Sequence, residues 1–105
     1  MEQRQEHRRS AGAEDDPRAV ALRGAVARLR RELAAHPAEL PDRAAADEEL
    51  AALYALVGGG DPEVSRLRRS LLLIAGAVGS VSALAPALAD VRDLIGMYGD
   101  VPRRF

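Results

Sequence analysis

The chain has 105 residues, a formal net charge of −1 and only 3% aromatic residues, with no cysteine and no tryptophan. This length allows one domain. The lack of cysteine excludes disulfides and thiolate catalysis, and the near-neutral charge gives no overall attraction to nucleic acid or to an anionic membrane. Because alanine is abundant and threonine is absent, the composition favours helices over strands.

The first 15 residues are polar and alternate in charge, which predicts a disordered tail over residues 1–15. This segment has no apolar stretch typical of a secretory signal, so we expect a cytoplasmic location, in a bacterium. All 15 basic residues are arginine and asparagine is absent. We interpret this bias as the signature of a high-GC genome rather than of selection for arginine chemistry.

Two helices are predicted first, over residues 17–35 and 42–57. Asp16 and Pro17 form a helix start, since an aspartate caps free backbone N–H groups and a proline at the first position needs no donor. The apolar residues of each helix recur at three and four residues and define one stripe: Leu22, Val26, Leu29 and Leu33, then Ala46, Leu50, Leu53 and Val57. The run Gly58–Gly60 ends the second helix.

A third helix is predicted over residues 62–98, about 55 Å long and kinked near Pro86, because a proline removes a helical hydrogen bond. Its apolar residues follow a near-heptad spacing. Short connections place consecutive helices antiparallel. The predicted fold is therefore all-α, an antiparallel bundle of three helices over residues 16–99 with a C-terminal tail over residues 100–105.

The run from Leu71 to Ala89 contains 19 residues without a charge, which is long enough for a membrane span. Its glycines, serines and proline weaken insertion, and no aromatic residue marks either boundary. A helix that is apolar on most sides is buried in protein or in lipid. Burial in protein is the favoured interpretation, and a single-span membrane anchor through residues 71–89 is the alternative.

No pattern in the chain predicts catalysis, a cofactor or a metal site. His7 lies in the predicted tail and His36 at a helix end, and neither has an orienting partner nearby in sequence. Two arginine clusters, at residues 28–31 and 66–69, have neighbouring acids and no aromatic residues for stacking. We therefore expect neither an enzyme nor a nucleic-acid-binding protein.

The segment Arg66–Ile74, followed by Gly76–Val81, resembles small Ala/Leu/Arg-rich helical proteins of unknown function from actinobacteria. The first helix, with Arg28-Leu29-Arg30-Arg31-Glu32-Leu33, fits the same kind of sequence. The resemblance covers residues 17–99. It implies a bacterial helical domain and supplies no activity, cofactor or site residues.

These observations predict a non-catalytic helical module for protein–protein interaction or oligomerisation. Its partner is expected to be a second copy of the chain or another helical protein. The third helix would supply the contacts, with two glycines allowing close approach. The predicted interaction residues are Leu67, Leu71, Ile74, Gly76, Val78, Gly79, Val81, Leu88 and Ile95.

A Val78→Asp substitution is expected to dissociate or unfold the assembly, because an unpaired charge would be buried. Light scattering coupled to size exclusion, together with a melting curve, measures both effects. An unchanged mass and melting temperature would contradict the placement of Val78 in a buried contact.

Overall fold

A computed structural model describes residues 16–99 of the chain, and in this part it contains helices and no strand. The tails predicted over residues 1–15 and 100–105 lie outside the described residues. Four α-helices and one short 3₁₀ helix follow one another: α1 (Pro17–Ala35), α2 (Arg43–Gly58), α3 (Val64–Val78), the 3₁₀ helix (Ser82–Leu84) and α4 (Ala85–Gly99).

The start of α1 is built as its sequence indicates. Asp16 has extended backbone angles, and its Oδ1 accepts a hydrogen bond from the backbone N–H of Arg18 at 2.9 Å. Pro17 occupies the first helical position, where its missing N–H is not needed. The cap therefore fixes where the chain enters the bundle.

The end of α1 is tied to the start of α2 by one side chain. The guanidinium of Arg43 donates to the carbonyl oxygens of Leu33, His36 (2.8 Å) and Ala38 (2.6 Å). The last carbonyls of a helix have no intrahelical donor, so a positive group is favourable there. Arg43 thus closes the connection between the two helices.

The prediction of one long third helix kinked at Pro86 is wrong. The segment forms two helices, α3 and α4, so the bundle has four helices rather than three. Pro86 is the second residue of α4, where it removes no intrahelical hydrogen bond. The chain breaks earlier, directly after Val78.

Gly79 is the C-cap of α3, and this position requires a glycine for a steric reason. Its N–H donates to the carbonyl oxygen of Ala75 at 2.8 Å, and a Cβ at this position would collide with that same oxygen. The chain then turns through hydrogen bonds from the N–H of Val81 to Val78 and from the N–H of Leu84 to Val81, both 3.0 Å. This turn reverses the chain so that α4 packs against α3.

The four helices form a closed bundle. Each packs against the next in sequence, and α4 also packs against α1. Arg30, late in α1, contacts Asp47, early in α2, while Arg18, early in α1, lies over the ring of Tyr98 at the end of α4. Both neighbours of α1 therefore run antiparallel to it, and for α1 and α2 this is the arrangement expected of helices joined by a short connection.

One hydrophobic core lies between the four helices, and every helix contributes one stripe to it. Tyr98 is its only aromatic ring among the described residues, so small aliphatic side chains fill the space. The buried apolar residues are Ala19, Leu22, Val26, Leu29, Leu33, Ala46, Leu50, Leu53, Val57, Leu67, Ile74, Val78, Leu84, Ala87, Leu88, Val91, Ile95 and Tyr98.

The uncharged run 71–89 is divided between α3, the turn and α4. Within residues 16–99, no helix has both the length and the apolar character needed to cross a membrane.

Two glycine substitutions test the break after α3. Gly79→Ala is expected to destabilise the fold by roughly 1–3 kcal/mol, since the new methyl group must displace backbone atoms. Gly76→Ala, three residues earlier and within α3, has open space around it and should stabilise the fold by about 0.5–1 kcal/mol. Urea denaturation measures both changes. Equal effects of the two substitutions would contradict a chain reversal at Gly79.

Candidate interaction surface

The structure places the predicted interaction residues in three environments. Leu71 and Val81 are partly buried, whereas Gly76 and Gly79 are exposed. The remaining five lie in the core of the chain's own bundle: Leu67, Ile74, Val78, Leu88 and Ile95. These five could contact a partner only if the bundle opened. The Val78→Asp substitution would accordingly disrupt the fold, whether or not the chain associates.

The helix α3 nevertheless exposes large apolar side chains. Leu72 retains 73% of its surface and Leu73 retains 55%, although both lie in the middle of a well-formed helix. Since successive residues are separated by about 100° around a helix, Leu72 lies nearly opposite the buried stripe that contains Ile74. Gly76, one turn later, is also exposed and leaves the surface beside both leucines open.

The charge of α3 has one sign. Between Val64 and Val78 the helix carries Arg66, Arg68 and Arg69 and no acidic residue. All three arginines are exposed. We call Arg66, Arg68, Arg69, Leu72, Leu73 and Gly76 the α3 outer surface.

Arg28 and Arg30, two of the three arginines of the other predicted cluster, have ionic partners, unlike the arginines of α3. Arg28 pairs with Glu32 at 2.9 Å and with Asp90 of α4 at 2.8 Å. Arg30 pairs with Asp47, and this hydrogen bond lowers the pKa of the Asp47 carboxyl. Among residues 16–99, no ion pair or side-chain hydrogen bond involves the three arginines of α3.

A groove of about 350 Å³ runs between α2 and α3 beside this surface. Its apolar wall includes Leu56 and Leu73, and its polar rim includes Arg66 and Arg69. Ser70 lies at the base, where its hydroxyl donates to Glu49 Oε2 at 2.6 Å. The groove is therefore a concave, partly apolar strip edged by guanidinium groups.

Two further grooves follow α1 and α2. The larger, of about 620 Å³, has Arg30 and Arg43 on its wall, but the first is paired with Asp47 and the second holds the carbonyls that end α1. The smaller, of about 310 Å³, is lined by Arg23, whose guanidinium stacks on the ring of Tyr54 at 4.0 Å. The arginines that maintain the fold thus contribute to both grooves.

The described residues give little material for chemistry. His36 follows the last residue of α1, where its backbone N–H donates to Leu33 and its carbonyl accepts from Arg43. Tyr98 is buried, and burial raises the pKa of its hydroxyl. Within residues 16–99, no group of three or more histidines and carboxylates is arranged to hold a metal ion.

The sequence interpretation missed Leu72 and Leu73. It followed the apolar repeat through the third helix and assigned interaction to the residues that turned out to line the core. A signal for the exposed pair was present, because a helix whose stripe is already complete at Leu67, Ile74 and Val78 has no inward position left for two further leucines.

Comparison with known proteins adds a family and no activity. No curated protein matches the chain, and no solved structure matches it. One family model covers residues 11–99, which is most of the chain and includes all four helices. The protein therefore belongs to the family of unknown function DUF5955.

Proposed function

We propose that this protein is a non-catalytic helical module that binds another protein chain through the α3 outer surface. The observation that carries the proposal is the exposed pair Leu72 and Leu73 on a helix whose opposite side completes the core. Burying what remains exposed of two leucines would contribute roughly 2–4 kcal/mol to association. Their exposure stabilises nothing within the described part of the chain.

The surface has the composition of a helix contact site. Arg69 lies three and four residues before Leu72 and Leu73, so all three side chains belong to neighbouring positions on one side of the helix. Arginine is enriched at protein interfaces, and an exposed apolar patch with a polar border is typical of them. Gly76 allows the backbone of a partner helix to approach closely.

Two partner classes are compatible with this function, a second copy of the chain and a different helical protein. The non-catalytic role rests on the same residues, since the arginines and leucines of the surface include no nucleophile and no general base. The cytoplasmic location, inferred from the lack of a signal-like apolar stretch, and the actinobacterial origin, implied by the resemblance, stay predictions.

Site-specific photocrosslinking tests the proposal. Leu72 is replaced by p-benzoylphenylalanine, and the full chain is irradiated in the cells that produce it. We expect one or a few discrete adducts, because a bound partner would lie within contact distance of this side chain. An adduct of twice the chain mass identifies a second copy, and any other mass identifies a different protein.

Val20 provides the matched control. It is an apolar residue on α1 with 56% of its surface exposed, remote from the α3 outer surface. The same photoreactive residue at position 20 should give no discrete adduct. The proposal would be refuted if position 72 gave no adduct, or if both positions gave the same set of products.

A further inference from the structure

The charge of the α3 outer surface selects between the two partner classes. We propose that the partner is an acidic amphipathic helix of a different protein, which lies along the α3 outer surface and the adjoining groove. This inference rests on the proposed function and specifies its partner. Its first support is that α3 carries three exposed arginines and no acid.

A second copy is a poor occupant of the same surface. If two chains paired symmetrically through α3, the same patch would meet itself, and six guanidinium groups would share one small interface. Like charges placed together across an interface are unfavourable. A partner that brings carboxylates instead gives each arginine an ionic acceptor.

The only nearby carboxylate in the groove is already engaged. Glu49 accepts the hydroxyl hydrogen of Ser70 at 2.6 Å and forms no ion pair with Arg66 or Arg69. Ser70 is buried, so it anchors this carboxylate at the base of the groove. The guanidinium groups at the rim keep their donors for an external acceptor.

The spacing of the surface defines the pattern it would recognise. Arg66 and Arg69 are three residues apart and lie one above the other, and Leu72 and Leu73 follow within the next turn. A partner helix that matches this order carries two acids one turn apart, with large apolar residues one turn beyond them. Apolar anchors at helical spacing in a groove are a recurring mode of helix recognition.

The shape and surroundings of the site favour a helix over a broad anionic surface. The groove is concave, and it is lined by residues of both α2 and α3. A flat membrane surface would meet the exposed arginines but leave the groove unfilled, whereas the side chains of a helix can enter it. The two tyrosines in the described residues are stacked by Arg18 and Arg23, so they offer no free ring for bases.

Calorimetric titration of the full chain with synthetic helical peptides tests the inference. One peptide combines glutamates and leucines in the pattern described above, and a second replaces every glutamate by glutamine. We expect the glutamate peptide to bind one to one and to weaken as salt is added, since charge pairs are screened. The glutamine peptide should bind at least fivefold more weakly.

The variant Arg66→Gln/Arg69→Gln should weaken binding of the glutamate peptide by about three- to tenfold, the range expected for two exposed ion pairs. The control Arg31→Gln/Arg92→Gln removes two exposed arginines elsewhere and should change binding by less than about twofold. Circular dichroism establishes that all variants fold. At the same concentrations the unmodified chain should sediment as a monomer.

Four results would overturn the acidic-helix partner: equal binding of both peptides, no binding of the glutamate peptide, equal effects of the two arginine pairs, or tighter binding to anionic lipid vesicles or duplex DNA than to the glutamate peptide. A crosslink from position 72 to a second copy would also overturn it, yet would support the proposed function. The absence of any crosslink from position 72 would refute both the proposed function and the acidic-helix partner. The two proposals are therefore tested separately.

Discussion

The reversal of the chain between Val78 and Ser82 is the constraint on which the rest of the structure depends. A single helix through residues 62–98 would be too long for α1 and α2 to cover, and its apolar side chains would need another chain. The lack of a Cβ at Gly79 permits the chain to leave α3 at this point, and the short turn sends α4 back along it. The fourth side of the bundle is then supplied by the chain itself.

Because the bundle is closed, the apolar stripes of α3 and α4 pack within the chain's own core. Leu67, Ile74 and Val78 point into the core from α3, and Leu88 and Ile95 meet them from α4. Large aliphatic side chains removed from water are the main source of stability in a small domain. Self-association is not needed to bury this stripe, so the proposed contact with a partner uses residues outside it, Leu72 and Leu73.

The arginines of α1 and α3 also differ in their contacts within the bundle. Three arginines of α1 contact other helices: Arg28 pairs with Asp90, Arg30 pairs with Asp47, and Arg18 stacks on Tyr98. Those of α3 have no such contacts among the described residues. The same residue type thus contacts other helices on α1, whereas on α3 it belongs to the surface that we propose for recognition.

Local sequence patterns predicted much of this architecture. The prediction failed where one pattern is compatible with two structures, a single long helix or two shorter ones. The Asp16-Pro17 start, the stripes of α1 and α2 and the glycine-rich end of α2 depend on nearby residues, so their positions could be inferred. The apolar repeat of the third segment continued in near-heptad phase past Gly79, which suggested one helix. Pro86 was predicted to kink this helix, although a proline is equally compatible with the first turn of a new helix.

In the near-heptad spacing of the third segment, Ala85 is in phase and Val91 is slightly out of phase. In α4, however, Val91 is fully buried, on the same side as Ala87, Leu88 and Ile95. Ala85, which fitted the repeat, is exposed. A change of phase after the turn explains both residues. The exposed residues of α3 could not be identified from the sequence, because exposure depends on which side of α3 the other helices cover.

The distance between two spin labels tests the chain reversal most directly. The chain has no cysteine, so Ser65→Cys and Met97→Cys provide two unique labelling sites, both exposed. They lie at comparable sequence distances on either side of the turn. If α3 and α4 pack side by side, pulsed electron spin resonance should give a distance within about 25 Å, since packed helix axes are 8–10 Å apart. A distance near 48 Å, the rise of about 1.5 Å per residue over this separation, would show a continuous helix and contradict the account.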